Sequence, residues 1–303
     1  MFPRILLPQD GSEVSEGIIP FVRMLAKGRP VKVTILYVAA GDGGGDAGTL
    51  VRLPEGKAIK TEGYLADLQR DLASDACTAD SVVLTGRPDE EIVRYGESEG
   101  YDLIAMSTHG RSGVGRWVFG STTDKVMQST SVPLFIVRSS KVQEKVSPAA
   151  AYRSIVVPLD GSILGESVLP HASDLAKVLD LEVKLLRVIP TSTMALAGAD
   201  PYAYDPQLYT KIAQGAEEYI NGKRAEIEGA GCRVSAQAIQ GYPPDRIITL
   251  AEEVPDSLII MSTHGRSGVG RWVLGSVTDR VLRASPRPVL LIHPPAADDG
   301  NGG

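Results

Sequence analysis

The amino-acid sequence predicts an α/β protein: two tandem doubly wound domains, each a five-stranded, mainly parallel sheet with helices on both faces. Two observations carry this expectation. Residues 106–118 (MSTHGRSGVGRWV) recur without a change at 261–273, and a chain that repeats a glycine-rich segment while its flanks drift has duplicated a domain. Within each copy, short apolar stretches alternate with stretches of helical spacing. The apolar stretches lack a polar face, as parallel strands covered on both sides do. The expected domains are residues 1–140 and 152–294, with a linker at 141–151 and a disordered tail at 295–303.

Each repeat reads in the same order. A first strand (4–8; 154–158) leads to the turn Asp10-Gly11-Ser12 or Asp160-Gly161-Ser162, which offers an N-cap. The helix behind it carries Ile18, Phe21, Val22 and Leu25, or Val168, Ala172, Leu175 and Leu179, at helical spacing. A second strand (31–38; 182–188) precedes a stretch that differs between the copies, 39–57 and 190–210, where the second copy is longer. Loops absorb such length changes at small entropic cost. Next come a longer helix (about 58–76; about 207–229), a third strand (81–84; 235–239) and a Gly-x-Pro turn with a short helix (89–99; 245–253). A fourth strand (102–106; 258–261) feeds the repeated loop, and a helix (121–129; 276–284) and final strand (133–137; 288–292) close the unit. The last strands are expected at sheet edges, which invite pairing.

Composition narrows the function classes. Apolar residues make up 43% and charged residues 22% of the 303, an ordinary globular balance. The net charge of −6 divides evenly, with 17 Lys+Arg against 19 Asp+Glu in residues 1–146 and 14 against 18 beyond. An evenly acidic chain without basic runs argues against nucleic acid as the partner. No apolar run reaches membrane-spanning length and no signal core opens the chain, so a cytoplasmic protein is expected. Cys77 and Cys232 share the offset that superimposes the loops and are expected as packed thiols.

The repeated loop carries the chemistry. Gly110 and Gly120, or Gly265 and Gly275, flank nine residues, and Ser121 or Ser276 then opens a helix. Glycines allow positive φ and close backbone approach. The first amides of a helix lack partners and lie at the positive end of its dipole. A loop so closed is a natural phosphate site. Arg111, Arg116, Arg266 and Arg271 either add charge there or point into solvent. It is neither a P-loop nor a dinucleotide fingerprint, because Gly110, Gly113 and Gly115 run G-x-x-G-x-G, as do Gly265, Gly268 and Gly270. His109 and His264 have no metal-spaced partners and read as structural or phosphate-adjacent imidazoles, while His171 and His293 have no repeat partner and no assigned role. Trp117 and Trp272 are expected to pack, under the loop or on a partner.

Ser-Thr-His-Gly, nine residues and Gly-Ser resemble the ATP-binding signature of the universal stress protein family, twice, over nearly the whole chain. Pro8-x-Asp10-Gly-Ser, Pro158-x-Asp160-Gly-Ser, the strand-closing Val38 and Val188, and the Gly-x-Pro turns at 86–88 and 241–243 add to the likeness. The resemblance implies an adenine nucleotide alpha hydrolase-like fold, ATP as cofactor with Mg²⁺ or Mn²⁺ on its phosphates, and a sensing or regulatory role under stress. It implies nucleotide-binding residues Pro8, Asp10, Val38, Ser107, His109, Gly110, Arg111, Gly113, Arg116, Gly120, Ser121 and Thr122. In the second copy these are Pro158, Asp160, Val188, Ser262, His264, Gly265, Arg266, Gly268, Arg271, Gly275, Ser276 and Val277. Ser107 and Ser262 stand where the usual signature has its first glycine. In the family the last strands join two domains into a dimer, which implies intrachain pairing of the repeats, with a homodimer of chains beyond it. No catalytic residue is assigned. Slow ATP hydrolysis at these sites and a nucleotide-free interaction module are the alternatives, and Asp10 and Asp160 as mere caps is a third.

Overall fold

The computed structural model describes residues 1–39, 50–52, 58–109, 120–139, 152–191, 206–254, 256–264 and 274–294. The first half runs β1 (Arg4–Gln9), α1 (Glu13–Glu16), α2 (Ile19–Leu25), β2 (Val31–Ala39), β3 (Leu50–Arg52), β4 (Ala58–Lys60), α3 (Thr61–Leu72), β5 (Cys77–Thr85), α4 (Pro88–Ser98), β6 (Leu103–His109), α5 (Ser121–Ser129) and β7 (Leu134–Ser139). The second half follows as β8 (Ser154–Leu159), α6 (Ile163–Glu166), α7 (Leu169–Leu179), β9 (Glu182–Pro190), α8 (Pro206–Gly229), β10 (Val234–Gly241), α9 (Pro243–Glu253), β11 (Ser257–Ser262), α10 (Ser276–Ala284) and β12 (Val289–Ile292).

Ten strands form one sheet in the order β10-β9-β8-β11-β12-β7-β6-β1-β2-β5. Within this sheet, pairing inside each half is parallel, from Arg4↔Lys32 to Gln9↔Tyr37 in the first and from Ser154↔Glu182 to Leu159↔Arg187 in the second. In this ten-stranded sheet only β7 and β12 meet antiparallel, with Phe135 opposite Leu290. Strand alternation then sorts the core into two layers. Ile5, Leu7, Leu103, Phe135 and Val137 pack with α2, α3 and their counterparts α7 and α8. Leu6, Ile104, Leu134 and Ile136 turn the other way, onto α4, α5, α9 and α10. Apolar residues at period 2 are thus buried on both faces, the condition for a parallel sheet between helices.

Several expectations are corrected. The last strands lie at the sheet's centre, because their four-residue apolar runs are buried on both sides and complete each other's ladders. The outer strands are β5 and β10, whose exposure alternates as edge strands allow. They also run longer than expected, since backbone pairing with β2 and β9 carries polar residues such as Thr78 and Gln237. The first helix of each repeat is broken, with Pro20 and Pro170 opening the second segment at the position proline tolerates. In the first repeat, 58–60 pairs antiparallel with 50–52, so the helix begins at Thr61. That helix ends at Leu72, where Ser74 and Cys77 bridge. Cys77 and Cys232 are both buried and unbonded, as read. The linker and tail, Trp117, Trp272, and loop residues 110–119 and 265–273 lie outside the described residues.

Candidate functional site

In each half the strand order reverses between the first strand and the fourth: β1 is flanked by β2 and β6, and β8 by β9 and β11. Ligands of such folds sit beyond the carboxyl ends of the strands at that switch. Three sequence signals converge there. The Asp-Gly-Ser turns follow β1 and β8. Val38 and Val188 each stand one residue past the last pair with the first strand. Ser107 and Ser262 lie near the ends of β6 and β11. Pro8 and Pro158 hold the strand just beneath, paired with Leu36 and Leu186. α1 packs over β6 and α6 over β11, so the turn of one strand is carried across to the end of the other.

The turn is built the same way twice. Gly11 and Gly161 have φ of 78° and 82°, which a side chain resists. That bend lets Ser12 cap α1, its Oγ accepting from Ser15 N at 3.1 Å, while Ser162 Oγ accepts from Gly165 N at 3.0 Å. The serine, not the aspartate, is therefore the cap. The aspartate braces it: Asp10 Oδ1 accepts from Ser12 N (3.0 Å) and Ser12 Oγ (2.6 Å), and Asp160 Oδ1 repeats both distances with Ser162. A carboxylate has about four acceptor positions, so capacity remains for a second partner such as a diol. Burial pushes the Asp10 carboxyl up, but hydrogen bonds from Ser12 and Ser15 outweigh it and hold it below its ordinary value. The group stays anionic at neutral pH.

Across the crevice, Gly120 and Gly275 are the N-caps of α5 and α10, and neither helix start has a side-chain cap. Their first amides thus have no side-chain cap among the described residues. Gly275 donates to Thr263 O at 2.9 Å, and Thr278 Oγ1 donates to Ser262 O at 3.0 Å, tying the helix start to the strand end. A Cβ on Gly275 would lie 3.2 Å from Thr263 O, which explains glycine there. Ser121 and Ser276 are exposed, and Thr122 and Val277 half-buried, in the first turn. Ser107 Oγ is buried without a hydrogen-bond partner, whereas Ser262 Oγ accepts from His264 N at 3.3 Å. Gly110, Arg111, Gly113, Arg116, Gly265, Arg266, Gly268 and Arg271 fall outside the described residues, and His109 is placed only as the end of β6.

Some residues near the site escaped the sequence. His293, just past β12, joins the second site: Thr263 Oγ1 lies 3.0 Å from His264 Nδ1 and 3.3 Å from His293 Nδ1. Its position after the last strand was the available signal. His171 stacks on Phe2 at 5.8 Å, a seam contact. A tyrosine–glutamate pair lies below each turn, Tyr64 with Glu16 and Tyr219 with Glu166, the latter at 2.9 Å. Among the described residues no group of three or more His, Cys, Asp or Glu could hold a metal, and no helix is long and apolar enough to cross a membrane.

His293 also makes a measurable prediction. Burial and the neighbouring His264 lower its pKa to about 4, against a smaller opposing effect of Glu97 from the other half. The folded state thus holds the imidazole neutral, and the unfolded chain binds the extra proton first. Stability from this group is full above pH 6.5 and is lost as pH falls toward 4, by roughly 2–3 kcal/mol. Urea unfolding at pH 7.5 and 4.5 should show a smaller acid loss in His293→Gln than in the parent. Equal losses would sink the account.

A cavity of about 630 Å³ lies elsewhere, at the seam, lined by Met24, Leu72, Cys77, Tyr152 and Leu179 together with Arg23, Lys27, Asp71 and Asp75. Comparison with known proteins bears on the crevices' kinship. The family model described as "Universal stress protein family" matches residues 1–138 and again 151–293. Two universal stress proteins of Methanocaldococcus jannaschii are 30% and 28% identical over 145 and 153 residues, covering 48% and 46% of this chain and 84% and 94% of their own. The crystal structure of a universal stress protein from Archaeoglobus fulgidus DSM 4304 matches with a TM-score of 0.71 at 21% identity, over 97% of this chain and 99% of that one, and so shares its fold. With two family domains spanning nearly its whole length, the chain belongs to the universal stress protein family.

Proposed function

We propose that each repeat binds an adenine nucleotide, ATP foremost, and that the protein serves as a cytoplasmic sensor or regulator in a stress response. The observation that carries this is the same in both halves: a turn-braced aspartate after the first strand and a helix start without a side-chain cap after the fourth both belong to the strand-switch end of the sheet. The aspartate suits a ribose diol, the strand-end backbone at Val38 or Val188 suits a purine edge, and the helix amides suit phosphates. The buried Ser107 Oγ near the end of β6, without a hydrogen-bond partner among the described residues, offers the sugar a further polar group. A divalent ion, Mg²⁺ or Mn²⁺, would arrive on the phosphates. The β7–β12 seam would serve the repeats as intrachain pairing, and a homodimer would add a second chain to it.

The test is direct. Freshly purified protein is denatured and the released nucleotide identified and counted, and added nucleotides are scored by the rise in Tm. Close to two ATP per chain, or a Tm rise with ATP, is expected. No nucleotide together with no Tm rise from any adenine nucleotide would overturn the proposal.

A further inference from the structure

Thr263 joins the second site's two histidines to its helix start. It follows β11, and its carbonyl accepts from Gly275 N, the N-cap of α10, at 2.9 Å. Its hydroxyl lies 3.0 Å from His264 Nδ1 and 3.3 Å from His293 Nδ1. Thr263 is 1% exposed, so water does not compete for these bonds. A hydroxyl has one proton, so for both contacts to be used one ring must accept from Thr263 and the other must donate to it. Two directions exist. In one, His293 donates to Thr263 and Thr263 to His264, which leaves the ring proton of His264 on Nε2. In the other the chain runs backwards and His264 Nε2 is bare. His293 Nε2 is buried without a hydrogen-bond partner among the described residues, so the bond at Nδ1 decides its tautomer. The first repeat is built otherwise. Thr108 is the copy of Thr263, and its partner across the ladder is Arg138, the copy of His293. A guanidinium only donates. Burial lowers the Arg138 pKa to about 10, which still leaves it charged at neutral and acid pH.

We infer that His293 is a positioning residue of the second site: through Thr263 it sets which nitrogen of His264 carries the proton, and it makes ligand binding there depend on pH in a way that binding at the first site does not. This rests on the nucleotide reading above and deepens it. A proton added to His293 leaves both of its nitrogens as donors. That excludes the backward direction and makes His264 Nε2 a donor, suited to an anionic ligand. Bound anion and bound proton therefore favour each other, and affinity rises as pH falls. The groups acting on the His293 charge are His264 and, from α4 of the first half, Glu97. Glu97 is held by Ser131, whose N and Oγ donate to it at 2.8 and 2.9 Å. The one charged residue of β7, Arg138, stands toward the strand's far end, because Leu134 is the residue that pairs with Leu291. On α10, Asp279 accepts from Arg283 at 2.7 Å and Arg280 lies over the Tyr242 ring.

The experiment uses the full chain, with isothermal titration of ATP at pH 8 and pH 5. Asp160→Ala isolates the first site and Asp10→Ala the second. The two sites share residues 106–118 and 261–273 without a change, and the ionisation of ATP is common to both, so these effects cancel in the comparison. From pH 8 to 5, ATP affinity should rise about threefold more at the second site than at the first. His293→Arg in the Asp10→Ala chain should remove that extra rise and keep binding. Arg138→His in the Asp160→Ala chain should create one at the first site, a gain that misfolding cannot mimic. Nitrogen-15 NMR of the imidazoles at pH 8, without ligand, should show more of the His264 proton on Nε2 in His293→Arg than in the parent. Equal pH dependence at both sites, an extra rise that survives His293→Arg, or a His264 tautomer indifferent to that exchange overturns the inference while leaving nucleotide binding intact. Absence of ATP binding to the unaltered chain at both pH values overturns both.

Discussion

Asp10→Ala with Asp160→Ala weakens adenine-nucleotide binding about a hundredfold at each repeat and leaves the fold within roughly 1–2 kcal/mol of the parent. The binding loss follows from removing charge-assisted hydrogen bonds to a diol, each worth about 1.5–3 kcal/mol when the partner is charged. The modest cost to folding follows from geometry: Ser12 and Ser162 keep their bonds to Ser15 N and Gly165 N and still cap their helices, losing only the brace. The alternative, that the aspartates exist only to hold the turn, makes the opposite forecast. Tm would then fall and the dissociation constants would hold within a few-fold. Calorimetric titration and a thermal melt on the same sample separate the two. Asp→Asn, which keeps one acceptor oxygen for Ser12 but loses the charge, should fall between parent and alanine in affinity.

Phe135→Ala should cost about 3–5 kcal/mol, the range for truncating a fully buried aromatic. Phe135 is 0% exposed on β7, with its ring 6.1 Å from Phe21, which in turn lies 5.8 Å from Tyr152 of the second half. The cavity opens where both halves share one core layer, so both should lose stability together. A melt is expected to remain a single transition, lowered by roughly 10 °C for a protein of this size. Two separated transitions, with the second-half one unmoved, would show that the layer is continuous in space but not in energy.

The fold was legible because its signals are local. Continuous apolar runs such as 154–159 and 258–261 announce strands buried on both faces, and Gly11, Ser12 and their counterparts announce the turn that opens a helix. Asp10, Val38 and Ser107 could be placed at one end of the sheet from strand order alone. The misses share a physical cause: they are long-range. Nothing near Arg187 in sequence reveals that its guanidinium reaches back to a turn near Gly161, and an arginine in a strand reads as a solvated face. His293 pairs with Thr263 thirty residues earlier. The central position of β7 and β12 depends on one half meeting the other, a contact that no window along the chain contains. The break at Pro20 was misjudged for a different reason, since proline fits a helix start as readily as it ends a helix.

Within the ten-stranded sheet the one antiparallel pairing, β7 against β12, has a consequence for whatever reads this protein. Strands of the first half run one way and those of the second the other, so their carboxyl ends emerge on opposite sides of the sheet. The two crevices therefore open at opposite poles. No flat partner surface can touch both mouths at once; a reader of both must wrap the molecule or attach as two copies, one at each pole. In that arrangement the chain is a two-ended connector, and a ligand or partner seated at one end leaves the approach to the other unobstructed.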